Sequence, residues 1–89
     1  MKLKYKLSVN KIAQQYVAVA VGEDADKFKN IIFLNGVACY VIELLEQDRN
    51  RTDVVDEVHK RFDGNRDVIT LEVNKFIDKL DTLGLIDNE

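Results

Sequence analysis

Leu34-Asn35-Gly36-Val37-Ala38-Cys39-Tyr40-Val41-Ile42-Glu43-Leu44-Leu45-Glu46-Gln47 is the stretch on which the fold turns. Asn-Gly between two apolar runs is a strong hairpin signal, and on that reading Val37 to Ile42 would be a strand. The residues that follow repeat differently. Ala38, Val41, Ile42 and Leu45 recur at intervals of three and four, with Glu43 and Glu46 among them on the solvent side; this is the spacing of an amphipathic helix. Asn35 also suits an N-cap, its side-chain oxygen accepting from free amides of the first turn. The pattern predicts a helix from Gly36 to about Gln47.

Upstream the chain reads as strand. Tyr5-Lys6-Leu7-Ser8-Val9 alternates, and Tyr16-Val17-Ala18-Val19-Ala20-Val21 is β-branched at every second position. Gly22 and the polar run Glu23 to Lys27 read as a hairpin loop, and Asn30 to Leu34 as a third strand, giving an antiparallel meander. Downstream, Thr52 is the expected cap of a second helix with Val55, Val58 and Phe62 on its apolar face and Gly64 as its left-handed stop. A third helix begins near Asp67, with Ile69, Val73, Phe76, Ile77, Leu80 and Leu83 as its stripe and Gly84 just past its end. Leu85-Ile86 can then fold back onto the last turn. The expected fold is α+β and winged helix-turn-helix-like: a three-stranded antiparallel sheet followed by three helices, β-β-β-α-α-α, as one domain over residues 1–89.

Eighty-nine residues that are 46% hydrophobic, with 13 Lys+Arg against 16 Asp+Glu, describe a small folded domain with one thin core and no room for a deep active site. The start, Met1-Lys2-Leu3-Lys4-Tyr5-Lys6, lacks the apolar region of a signal peptide, and no run is long enough for a membrane span. One cysteine cannot make an internal disulfide, which fits a cytoplasmic setting. The net charge of −3 hides a split: residues 1 to 34 carry six lysines against three acids, and the remainder carries seven basic residues against 13 acids. Lysines can keep strand edges soluble, or steer an acidic partner to the basic half.

Catalytic readings fail on inventory. His59, the only histidine, is expected on the polar side of the second helix without a nucleophile or second ligand. Cys39 reads as a small packed residue, and Asp53, Asp56 and Glu57 as a solvated helix start complementing the macrodipole. There is no Gly-rich phosphate loop and no metal-ligand spacing, so neither cofactor nor enzyme activity is expected.

Several segments together resemble a known family. The strand end Leu34-Asn35 with Ala38 and Ile42-Glu43-Leu44-Leu45, then Thr52, Val55, Val58 and Arg61-Phe62, then Val73, Phe76-Ile77, Leu80 and Gly84-Leu85-Ile86 resemble, in order and spacing, the PqqD family of peptide chaperones, also known as precursor-peptide recognition elements. The resemblance spans Lys4 to Ile86. The chain departs from the family pattern at Glu72-Val73, where Asp-Val is common, at Val41, where a larger residue is common, and at Ile12 to Tyr16, which lacks a glycine often found ahead of the second strand.

The resemblance implies a non-catalytic chaperone that binds the leader segment of a ribosomally made precursor peptide, of pyrroloquinoline quinone biosynthesis or another such pathway. It would present that peptide to a radical-SAM or other modifying enzyme. It implies strand addition beside the third strand, toward the third helix. The residues so implied are Phe28, Lys29, Asn30, Ile31, Ile32 and Phe33 from the strand, and Ile69, Val73, Asn74, Lys75, Phe76 and Lys79 from the helix. Ile32 and Leu34 are the expected core members of that strand and Ile31 and Phe33 the exposed ones. Lys27, Lys29, Lys75 and Lys79 could meet an acidic peptide.

Two rivals share the fold class. A DNA-binding regulator needs a basic recognition helix, yet residues 66 to 83 hold three basic residues against four acids. A structural dimerisation module would cover the third-strand edge with a second copy, and the chain's own termini could cover it equally. No nucleic-acid or membrane partner is expected.

Overall fold

A computed structural model describes residues 1–88. Its elements in chain order are β1 (Lys2–Leu3), β2 (Leu7–Ile12), β3 (Gln15–Ala20), a short 3₁₀ turn at Gly22–Asp24, β4 (Ile32–Leu34), α1 (Gly36–Leu44), α2 (Arg51–Arg61), α3 (Arg66–Thr82) and β5 (Ile86–Asp87). β2, β3 and β4 form an antiparallel sheet in that order, as the meander predicts. α1 packs against β4, and α2 and α3 pack against α1 and against each other.

Asn35 decides for the helix. Its φ of −93° is not the positive value an Asn-Gly hairpin turn requires, and its Oδ1 accepts from the Ala38 N–H at 2.8 Å. Such a cap stabilises a helix by about 1 kcal/mol. Ala38, Val41, Ile42, Leu44 and Leu45 are buried, so the three-four pattern faces the core. The helix proper ends at Leu44, earlier than expected, and one more turn closes through the Gln47 N–H to the Leu44 carbonyl.

Other boundaries differ from expectation for local reasons. Asn50, not Thr52, caps α2, accepting from the Asp53 N–H at 2.8 Å and leaving Thr52 inside the first turn. Phe62, in extended conformation, ends α2, and Gly64 has φ +148°, outside the left-handed helical region its stop role requires. Asn65 caps α3 through the amides of Asp67 and Val68. At the far end of α3, Gly84 has φ +76° and Leu85 N–H bonds the Leu80 carbonyl at 2.9 Å. Leu85 and Ile86 are thereby buried, as the fold-back reading predicts.

Two features are absent from the sequence reading. β2 begins at Leu7 and extends to Ile12, leaving Tyr5 outside it, and is joined to β3 by Ala13-Gln14. Both turn residues have positive φ, +49° and +72°, the sign a two-residue hairpin loop demands. The second feature is a two-stranded sheet in which Lys2 pairs with Asp87 and Leu3 with Ile86. It is fixed further by Leu3 N–H to the Leu45 carbonyl and Lys4 N–H to the Leu85 carbonyl, both 2.8 Å. Residues 2–3 and 86–87 are therefore paired with each other, in a sheet separate from β4. The run Glu23 to Lys27, expected as a hairpin loop, is partly the 3₁₀ turn, anchored where Asp24 Oδ2 accepts from Lys6 N–H at 2.9 Å.

Candidate functional site

β4 is an edge strand, paired with β3 on one side and with no strand on the other among the described residues. Strand alternation divides its side chains. Ile32 and Leu34 are buried against the helices, whereas Phe33 is 60% exposed and Ile31, just ahead of the strand, 58%. Phe33 lies in register with Val17, and these two line a shallow apolar depression of ≈ 330 Å³ with Ile12, Ala13, Gln15, Val19 and Ile31. That is the outer face of the sheet, away from the helical body.

A second depression, of ≈ 220 Å³, lies where β4 runs into α1 and faces α3. Asn35, Val37, Ala38, Glu72, Lys75, Phe76 and Lys79 line it. Glu72, Lys75, Phe76 and Lys79 recur at three- and four-residue spacing, so one helix flank delivers all four. Phe76 and Val37 are half-buried against the core and form its apolar part. Asn35 Nδ2 donates to Glu72 Oε1 at 3.0 Å, tying α3 to the end of β4. Lys75 and Lys79 are exposed, and neither forms an ion pair among the described residues.

The residues singled out from sequence separate into four groups. Ile31, Phe33, Lys75, Phe76 and Lys79 flank the open edge or line the cleft. Phe28, Ile32, Ile69 and Val73 are core residues, each under 10% exposed, so their side chains are not presented at the surface. Ile32 can still offer its backbone. Asn74 faces α2, where its Oδ1 accepts from Arg51 Nη1 at 3.1 Å. Lys29 and Asn30 are exposed on the segment before β4, and Lys27 pairs with Asp24 at 3.4 Å. Sequence reasoning passed over Asn35, Val37, Ala38 and Glu72 as site residues. Glu72 could have been found, because it lies three positions before Lys75 on the same helix flank.

Burial pushes the Cys39 thiol pKa up, the reverse of an activated nucleophile. His59 is half-buried and not the surface residue expected, since it lies one turn beyond buried Val55; its Nδ1 is enclosed without a hydrogen-bond partner. Among the described residues no group of three or more His, Cys, Asp or Glu is placed to hold a metal ion. No helix among them is long and apolar enough to cross a membrane.

The family model for coenzyme PQQ synthesis protein D (PqqD) matches residues 19–86, from β3 to the start of β5. The chain belongs to the PqqD family. Among solved structures it is similar to TbiB1, determined in complex with the TbiA(beta) leader peptide, with a TM-score of 0.71 and 17% identity. The match covers 100% of this chain and 98% of the TbiB1 chain, so the two share a fold over their whole length. No curated protein matches. The PqqD match begins inside β3, so β1, β2 and the Ala13-Gln14 turn fall outside it and are covered by the structural match alone.

Proposed function

We propose that residues 1–89 form a single peptide-recognition domain that binds the leader segment of a ribosomally made precursor peptide by strand addition to β4. The observation that carries this is an unblocked edge strand beside a cleft whose apolar part, Val37 and Phe76, is rimmed by two unpaired lysines. Backbone hydrogen bonds along the edge supply affinity, and the cleft supplies selectivity. The PqqD membership supports the reading, as does the shared fold with TbiB1, a protein solved with a leader peptide bound.

The chain itself performs no chemistry. Its cytoplasmic role is to present the loaded peptide to a modifying enzyme, a radical-SAM protein on the family's precedent, in pyrroloquinoline quinone biosynthesis or another ribosomal-peptide pathway. A small peptide ordering on one edge and one cleft is expected to bind at about micromolar strength, near −8 kcal/mol, after the entropy of its ordering is offset.

An NMR titration with the leader peptide encoded beside this gene tests the proposal. Shifts concentrated at Ile31–Leu34 and along the Glu72–Lys79 flank of α3 are expected. An unchanged spectrum with every neighbouring candidate peptide would sink it.

A further inference from the structure

One depression lies on the outer face of the sheet, bordered by Ile31 and Phe33, and the other begins at Asn35, just past the end of β4, on the side of α3. Ile32 and Leu34 point into the protein and Phe33 points out, beside Ile31 and over Val17. A strand added to β4 must continue its pleat, so successive side chains go to opposite faces, and directly opposed residues share a face. A peptide residue set opposite Phe33 therefore lies on the outer face, against Phe33 and Ile31. Its two neighbours point inward, toward the Val37–Phe76 cleft.

We infer that the bound peptide is read on both faces, and that the segment recognised is an uninterrupted run of at least three apolar residues next to an acidic one. This rests on strand addition at β4 and specifies its substrate class. A one-sided groove would ask only for apolar residues at alternate positions. Here the outer side is apolar as well: Val17 is only 5% exposed although no helix residue lines that depression among the described residues, because Phe33 and its neighbours gather around it. A polar residue opposite Phe33 would leave that aromatic ring partly in water. The acid follows from charge: Lys75 and Lys79 rim the inner cleft without ion-pair partners among the described residues.

Ile12 provides an internal control. It belongs to the same outer face and is 62% exposed, but it sits on β2, about 14 Å from an added strand at the usual strand spacing. That is beyond the reach of cross-strand contact, roughly 8 Å. A peptide on β4 should ignore Ile12. A second copy covering the whole face should not.

Three synthetic peptides of about ten residues, sharing one acidic residue, make the test. Their central triplets are leucine-valine-leucine, leucine-serine-leucine and serine-valine-serine, and each is titrated into the protein and into its Phe33→Ser, Ile31→Ser and Ile12→Ser variants. Binding of the first peptide should weaken about fivefold when its central valine becomes serine. That loss should shrink in Phe33→Ser and Ile31→Ser and stay whole in Ile12→Ser, the coupling pattern of direct contact. Equal binding of the first two peptides, or a central-serine loss undiminished in both Phe33→Ser and Ile31→Ser, overturns two-sided reading while leaving strand addition standing. No shift at β4 or α3 with any of the three removes strand addition itself and the inference with it. A concentration-dependent mass abolished by both Ile12→Ser and Phe33→Ser would assign the outer face to a second copy and also overturn it.

Discussion

β1 and β4 are both very short strands, and their edges are treated in opposite ways. Lys2 and Leu3 of β1 pair with Asp87 and Ile86, and backbone bonds from Leu3 and Lys4 reach Leu45 and Leu85. Arg49 N–H also donates to the Met1 carbonyl at 2.8 Å. β4 has β3 on one side only, among the described residues, with two large apolar side chains at its exposed flank. Edges are usually blunted by proline, by charge or by cover, and Ile32-Phe33-Leu34 has neither proline nor charge. The contrast teaches that openness here is local. The same chain recruits Ile86 and Asp87 to close β1 and leaves the outer edge of β4 without a strand partner among the described residues.

The largest expected effect separates the two faces of β4. Ile32→Ala removes a side chain that is 2% exposed and should lower unfolding free energy by about 2–5 kcal/mol. Phe33→Ala, one residue along, should stay within about 0.5 kcal/mol. Urea denaturation of the two variants measures the difference, and similar losses would erase the inner–outer distinction.

Next comes the charge at the cleft. Lys75→Glu with Lys79→Glu should weaken an acidic leader peptide by about tenfold, near 1.4 kcal/mol, with a stability loss of about 1 kcal/mol or less from the new like-charge neighbours on α3. Calorimetry would read this, and an undiminished affinity would place the peptide away from α3.

A smaller effect belongs to the opposite end of the sheet. Ala13 and Gln14 hold positive φ values that side chains bearing a Cβ adopt at a cost. Ala13→Asn with Gln14→Gly should therefore raise stability by about 1 kcal/mol, read from the thermal midpoint. Peptide affinity should not move, because this turn, although Ala13 borders the outer depression, lies across β3 from the open edge of β4. A change in affinity would extend the site across the whole sheet.

The smallest effect is acid-dependent. The Lys6 backbone N–H holds the Asp24 carboxyl below its usual value of 3.8, burial opposes this, and Lys27 adds to the lowering. The tie contributes stability above the unfolded carboxylate pKa and loses it as pH falls through the lowered folded value. The Lys6 amide resonance should titrate with a midpoint below 3.8, while β4, which has no titratable side chain, shows no matching step. A midpoint at or above 3.8 would mean that the tie is not formed in solution.

What was legible in the sequence was local and periodic. Asn35 with Ala38, Val41, Ile42 and Leu45 specified α1 over a hairpin, and the Ile32/Leu34 against Ile31/Phe33 alternation gave the two faces of β4. The pairing of Lys2 with Asp87 was not legible, since two-residue strands have no period and their partners lie at opposite ends of the chain. Nor was the Ala13-Gln14 turn, because its glycine signal is missing. Within the candidate site, apolar type did not separate core from surface. Ile69 and Val73 are buried, whereas Phe76, on the same stripe, reaches the cleft. Only the packing of α3 against α1 and α2 makes that division, and the same packing brings Glu72 to Asn35.

Hydrogen exchange at the backbone of residues 31–34, with and without a saturating leader peptide, tests the central claim most directly. Strand addition predicts that edge-facing amides of this segment become strongly protected on binding, while those of Lys2 and Leu3 stay as they were. Binding that is demonstrable by calorimetry but leaves exchange at 31–34 unaltered would contradict it.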